Sequence, residues 1–173
     1  MPEGFVEAYK SFAESGWASI SLPSEIGGGG MPITLSGGTL EILSTANLAF
    51  GLAPGLSAGA ISAINFHGND EQKEKFLPKL VSGEWTGTMN LSEPQSGSDL
   101  GTITTKAEAQ EDGTYSLTGT KIFISAGEHD MSENIVHIVL ARLPDAPDGT
   151  KGISLFVVPT FNVKDFLCVP SIT

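Results

Sequence analysis

The sequence predicts an α+β chain, helices first and antiparallel strands after, and three observations carry that reading. Up to about residue 82, apolar side chains recur at helical spacing between Gly and Pro stops. From Gly83 onward, short alternating or apolar runs are divided by turn signals such as Asp112-Gly113 and Pro147-Asp148-Gly149. No βαβ unit and no GxGxxG occurs, so a dinucleotide-binding doubly wound sheet is unsupported. The boundary falls near residue 83, which divides the chain into 1–83 and 84–173.

The elements follow in order. Phe5, Val6, Tyr9 and Phe12 form a helical stripe within residues 3–15, stopped by Gly16. Ile20 to Pro23 reads as a short extended piece, and Gly27 to Gly30 with Pro32 as a flexible loop. A helix begins near Thr34 or Ser36, and a second runs from about Leu56 to Phe66, with a break over Gly51 to Gly55. No charged side chain lies between Glu41 and Asp70, and Gly51, Gly55 and Gly59 fall at GxxxG spacing. Ser44, Thr45, Asn47, Ser57, Ser62 and Asn65 dilute this stretch and Pro54 interrupts it, so it reads as two largely buried helices rather than a membrane span. Gly68-Asn69-Asp70 is a turn and cap signal before a short surface helix with alternating charges. Strands are then expected over Thr86–Leu91, Ile103–Ala109, Tyr115–Thr118, Lys121–Ser125, Ile135–Ala141 and Ile153–Val158. Residues 161–173 show no closing helix or strict strand pattern.

Composition narrows the function. The 173 residues carry 20 acidic against 9 basic side chains, a net charge of −11, which argues against binding a nucleic-acid backbone. A small phosphorylated cofactor needs only a local anion site and is not excluded. One cysteine, Cys168, and three scattered histidines, His67, His129 and His137, leave no disulfide framework and no metal-ligand spacing, so no metal is expected. The Met1-Pro2-Glu3-Gly4-Phe5 start lacks a signal-peptide pattern, and the expected compartment is cytoplasmic.

Two segments combine small, hydroxyl and glycine residues beside strands. In Met89-Asn90-Leu91-Ser92-Glu93-Pro94-Gln95-Ser96-Gly97-Ser98-Asp99, Gly97 permits close backbone approach to a ligand. Ser92, Ser98 and loop amides there can donate to anionic or carbonyl oxygens. Spacing alone favours a plainer alternative, a Pro-containing turn in which Ser98 and Asp99 bond local amides. In Gly119-Thr120-Lys121-Ile122-Phe123-Ile124-Ser125-Ala126-Gly127, strand alternation puts Phe123 and Ser125 on one face, which suits a flat heterocycle. A core Phe beside a strand Ser is the commoner arrangement.

Together these segments resemble the acyl-CoA dehydrogenase family of flavoproteins, over nearly the whole chain to about Phe161. Its T/S-E-P-x-x-G-S-D loop is matched by Ser92 to Asp99, and its G-x-K-x-W/F-I-T/S stretch by Gly119 to Ser125. Gly16-Trp17 through Leu22-Pro23-Ser24-Glu25-Ile26-Gly27-Gly28 is similar to the family's entry motif. His67-Gly68-Asn69, Gln72-Lys73 and Phe76-Leu77-Pro78 are similar to its Q-K-x-x-F-L-P helix. The segments Glu128-His129-Asp130-Met131 and Arg142-Leu143-Pro144 resemble the larger-subunit branch that includes 3-methylmercaptopropionyl-CoA dehydrogenases.

The resemblance implies a partial N-terminal helical domain, an antiparallel β-barrel-like middle domain, and a C-terminal helical domain absent from these residues. It implies FAD as cofactor, with Met89, Leu91 and Ser92 at the isoalloxazine edge and Gly97 and Ser98 at the pyrophosphate. Ser98 would also approach the acyl-CoA, while Phe123, Ile124 and Ser125 pack on the other ring edge. Phe123 stands where Trp is common and Ser125 where Thr is common. The implied reaction is α,β-dehydrogenation of acyl-CoA thioesters in fatty-acid or related breakdown, with an acceptor such as electron-transfer flavoprotein and a homo-oligomeric full-length enzyme. No residue maps to the catalytic base, and Glu93 takes a structural role. These 173 residues alone are therefore expected to bind FAD weakly, purify colourless and turn over slowly or not at all. An acyl-CoA oxidase-like flavoenzyme, a non-catalytic remnant serving as a binding module, and membrane association through residues 42–66 are the competing readings.

Overall fold

In a computed structural model, residues 1–161 and the two-residue strand Cys168–Val169 are described; other expectations for 162–173 lie outside the described residues. The helical part comprises α1 (Phe5–Glu14), α2 (Ile33–His67) and α3 (Asp70–Ser82). The strands are β1 (Trp85–Asn90), β2 (Lys106–Ala109), β3 (Tyr115–Thr118), β4 (Asn134–Arg142), β5 (Ile153–Pro159) and β6 (Cys168–Val169).

The helices start and stop for local reasons. Asn69 caps α3: its side chain accepts the Gln72 amide at 2.8 Å, and Gln72 Oε1 accepts the Asn69 amide at 2.9 Å, a reciprocal capping box. Gly83, at φ +79, ends it. The helix expected to be a solvated surface element buries Gln72, Phe76, Leu77, Leu80 and Val81 on one side. The break in α2 lies at Asn47 (φ −161, ψ 100) rather than at 51–55, because the Asn47 side chain caps the second half by accepting the Phe50 amide at 3.1 Å. Pro54 is carried inside the helix. The expectation that both halves are buried holds only for the second, which commits Ala53, Ala60, Ile61 and Ile64 to the core; Ile33 and Ile42 stand 76% and 72% exposed. By length and composition α2 is long and apolar enough to cross a membrane.

Ile20 to Pro23 is not extended; turns occupy it between short 3-10 segments at Trp17–Ser19 and Ser24–Ile26. Nor is the four-glycine run a loose connection. A Cβ on Gly28 would lie 2.3 Å from the Leu22 carbonyl oxygen and one on Gly29 2.6 Å from that of Ile20, so two chain segments touch backbone to backbone.

The sheet is mixed, which corrects the antiparallel expectation. β4 pairs antiparallel with β5 over seven residues and β2 with β3 over four, but β1 runs parallel to β4 from Trp85↔Asn134 to Asn90↔Val139. Beyond Val139, β4's edge passes to β2, which pairs parallel at Lys106↔Arg142. The short connections that suggested hairpins are real for β2–β3 (Asp112-Gly113, with Gly113 at φ +84), while β1 joins a distant strand in sequence. Successive β4 residues serve two cores. Val136 and Ile138 face α2 and α3 with Phe76, Leu80 and Trp85, while Val139 and Ala141 face away with Ala107 and Phe156. Where β1 crosses α2, a Cβ on Gly87 would sit 2.4 Å from that of Ala60, and the Ser57 hydroxyl accepts the Gly87 amide at 2.9 Å.

Candidate functional site

The change of partner on β4's edge leaves residues 91–105 to travel from the end of β1 to the start of β2, and this connection carries the first motif. It begins with a tight turn in which Glu93 and Ser96 exchange backbone bonds (2.7 and 3.0 Å). The Ser96 hydroxyl donates to the Asp99 carbonyl at 2.7 Å, and the Asp99 carboxylate accepts the Gly101 amide at 3.0 Å. The local-amide reading thus holds for Asp99. It does not hold for Ser98, whose exposed hydroxyl has no protein partner among the described residues, and a Cβ on Gly97 would meet open space.

Glu93 organises the connection. Its side chain is buried, and its two oxygens accept six hydrogen bonds. Oε1 takes Lys121 Nζ at 2.8 Å, the Thr105 amide at 3.1 Å and the Thr105 hydroxyl at 2.5 Å. Oε2 takes Gln95 Nε2 at 2.6 Å, the Thr104 amide at 2.7 Å and the Thr104 hydroxyl at 3.0 Å. Burial by itself would raise the carboxyl pKa; the bonds from Lys121, Thr105 and the two amides outweigh it and hold the group well below the usual carboxylate range. Lys121 also donates to the Leu91 carbonyl at 3.0 Å, and the Ile122 amide donates to the Ser92 carbonyl at 3.0 Å. The two motif segments are therefore fastened to each other, Leu91 and Ser92 against Lys121 and Ile122.

The second segment is not the expected strand. Residues 121–124 make no ladder, and Phe123 and Ala126 sit at φ +57 and +51, in the left-handed region that costs a side-chain-bearing residue energy. Alternation thus does not place Phe123 and Ser125. The left-handed backbone leaves the Phe123 ring 91% exposed, beside an exposed Ser125 hydroxyl and a half-buried Ile124. Ala126 returns the chain to the core formed by Tyr9, Ala53 and Met131. Of the other expected ring-edge residues, Met89 is half-buried and packs against the helix-facing core, and Leu91 and Ser92 are half-buried at the end of β1.

Sequence reasoning named Arg142 only within a segment that carries the resemblance and gave it no role. Its guanidinium donates to the carbonyls of Ile103 (3.0 Å), Pro147 (3.0 Å), Gly101 (2.7 Å) and Gly149 (2.7 Å), tying the connection to the β4–β5 loop. It also missed the polar ladder on the far face of β1. Thr86 bonds His129 Nε2 at 3.1 Å and the Ser132 hydroxyl at 3.0 Å, while Thr88 bonds His137 Nδ1 at 2.7 Å. His137 Nε2 meets the Thr160 hydroxyl at 2.9 Å. Thr86, Thr88 and Asn90 alternate in the sequence, which was the available signal. Among the described residues no cluster of His, Cys, Asp or Glu suits a metal ion.

The stapled pair of loops thus carries an exposed aromatic ring, two exposed hydroxyls without protein partners among the described residues and an open glycine turn. The model of the acyl-CoA dehydrogenase N-terminal domain matches residues 2–84 and that of the acyl-CoA dehydrogenase middle domain matches residues 88–166. The chain belongs to the acyl-CoA dehydrogenase family. It is 55% identical to a 3-methylmercaptopropionyl-CoA dehydrogenase of Ruegeria pomeroyi over 159 residues, 92% of this chain and 27% of that protein. It superposes on an acyl-CoA dehydrogenase from Bacillus anthracis complexed with FAD with a TM-score of 0.77 and 31% identity, over 92% of this chain and 26% of the other. A structure described as the electron transferring flavoprotein of Acidaminococcus fermentans matches with a TM-score of 0.74 and 28% identity, over 92% and 42%. The chain spans about 27% of the length of the Ruegeria protein and of a butyryl-CoA dehydrogenase of Syntrophomonas wolfei that it also matches.

Proposed function

We propose that this chain is the flavin-edge portion of an FAD-dependent acyl-CoA dehydrogenase, serving α,β-dehydrogenation of acyl-CoA thioesters in fatty-acid or related breakdown. The observation that carries the reading is the stapled pair of motif segments, which presents Phe123, Ser125, Gly97 and Ser98 free of internal partners. These groups fit a flavin dinucleotide. An exposed phenyl ring offers a flat apolar face, hydroxyls and loop amides offer donors to phosphate and ring carbonyl oxygens, and Gly97 lets the backbone come close. When bound, FAD supplies the hydride acceptor for the reaction.

The protein's own part is placement. Ser98 and the amides of its turn would donate hydrogen bonds to the cofactor's negative oxygens, and Phe123, Ile124 and Ser125 would hold the other edge of its ring system. Glu93 is the only buried acidic side chain among the described residues, and it does not act as the base: six donors occupy its oxygens and an ammonium group holds it ionised. The proposed electron acceptor is an electron-transfer flavoprotein, which the likeness to the Acidaminococcus structure supports. The 55% identity supports an acyl-CoA substrate class shared with the Ruegeria enzyme.

The test is titration with FAD, read by quenching of flavin fluorescence and a shift of its visible bands. Weak, saturable binding is expected, lost in Phe123→Ala and reduced in Ser98→Ala. A response that never saturates, or one indifferent to both substitutions, sinks the assignment.

A further inference from the structure

We infer that Glu93 and Lys121 form a positioning pair that sets the 119–126 segment against the Ser92–Asp99 turn, so that the two motif segments meet a ligand as one surface. The inference deepens the flavin-site reading and rests on it for the identity of the ligand.

Residues 119–124 belong to no strand, and Phe123 projects into solvent from a left-handed backbone. The segment's fastenings before Ala126 are few. Gly119 lies flat on Thr105, where a Cβ would come within 2.2 Å of the hydroxyl oxygen. The Ile122 amide bonds the Ser92 carbonyl, and Lys121 bonds Glu93 and the Leu91 carbonyl. Lys121 therefore reaches two residues of the first motif at once, and Glu93 reaches Thr104, Thr105 and Gln95 in return. The side chains of Glu93 and Lys121 are 2% and 9% exposed, so both charges are almost wholly withdrawn from water.

A buried ion pair is weak evidence for stability, because desolvation offsets much of its attraction; a well-packed apolar pair of like volume often serves a core as well. What the pair supplies that apolar packing does not is direction. One ammonium group with three donors and one carboxylate with two oxygens fix the angle and register at which two irregular segments meet. The helix-facing core is built on α2, α3, β1, β4 and β5 and the far-face core on β2, β4 and β5, and neither includes a residue of 92–99 or 119–126. Loss of the pair is therefore expected to loosen the two segments locally.

The test compares Lys121→Met and Glu93→Gln with the parent chain by amide hydrogen exchange without flavin, by thermal melting, and by FAD titration. Glu93→Gln keeps the shape and removes the charge, and carries the same criteria if Lys121→Met fails to fold. The expected result is exchange at least tenfold faster at Ile122, Thr104 and Thr105, unchanged protection along β4, a retained cooperative melt, and FAD affinity at least tenfold weaker. Unchanged protection at Ile122 overturns the inference. So does loss of protection along β4 in step with Ile122, or failure of both variants to fold, either of which makes the pair a general support of the fold. If the parent shows no saturable FAD response, the flavin reading fails by itself, and the flavin-free exchange pattern still decides whether the pair positions the segments.

Discussion

Replacing Arg142 by Met asks how much one guanidinium contributes to holding the site's connection. Four carbonyls, those of Gly101, Ile103, Pro147 and Gly149, accept from it at 2.7–3.0 Å, and the side chain is half-buried. A hydrogen bond to a charged group is worth ~1.5–3 kcal/mol, but four bonds to one group are not additive, and exposed carbonyls regain water. A net loss of about 2–4 kcal/mol follows, and at ~2–4 °C per kcal/mol for a chain of this size the melting temperature should fall by about 4–16 °C. Arg142→Lys should recover a minor part, since an ammonium group cannot span carbonyls on both sides of the fork. Calorimetric or circular-dichroism melts read the stability, and exchange at Ile103 and Gly152, whose amides close the two turns, reads its location. A loss below about 0.5 kcal/mol, the range of an ordinary surface substitution, refutes the clamp; full recovery by Lys shows that charge alone matters.

The other predictions concern the sheet, the histidines and the exposed ring. Gly87→Ala puts a methyl 2.4 Å from Ala60 Cβ and should cost about 1–3 kcal/mol, with Ala60→Gly restoring part of it in the double variant; additive losses on melting would contradict the contact. Burial lowers the pKa of both His129 and His137, the neighbouring His129 adding to the effect on His137 and Asp130 opposing it on His129. A histidine depressed in the folded state binds fewer protons than when unfolded, so stability should fall as pH drops below the unfolded value of about 6.5. His137→Gln should flatten the melting temperature between pH 5 and 7, and an unaltered slope would assign the dependence elsewhere. Phe123→Gly should leave stability unchanged or slightly higher, because the ring is exposed and glycine adopts φ +57 freely, while FAD affinity falls; marked destabilisation would show the ring to be structural.

Much of the architecture was legible because it rests on short-range signals. Gly68-Asn69-Asp70 announced the α3 cap, Asp112-Gly113 the β2–β3 hairpin, and the apolar run from Ile135 to Ala141 a strand. The errors fall where tertiary partners overrule local pattern. Asn47 looked like one more polar residue in a helix, yet its side chain caps the half that follows. Ile103 to Thr105 alternate as a strand should, but their backbone groups are taken by Glu93 and Arg142, so β2 begins only at Lys106. Lys121 to Ser125 has strand composition and no strand to pair with. At the site, the motifs gave the residues and the flavin chemistry they resemble; the left-handed turn at Phe123 has no signature in residue type, since that region is where glycine is expected.

These departures have one physical origin. β4's edge is occupied by β1 as far as Val139 and by β2 from Arg142, and the chain between those strands has no ladder to satisfy it. Two charged side chains take the ladder's place on opposite sides of the same backbone. The Glu93 carboxylate accepts the N–H groups of Thr104 and Thr105, and the Arg142 guanidinium donates to the C=O groups of Gly101 and Ile103. An anion on the donor side and a cation on the acceptor side can hold a connection in a shape no strand would adopt. That freedom lets the Gly97–Ser98 turn remain open and exposed. Shortening the connection to extend β1 or β2 would satisfy the backbone equally well but remove the Gly97–Ser98 turn that the proposed site needs, so the two charges hold open a shape that a ladder would close.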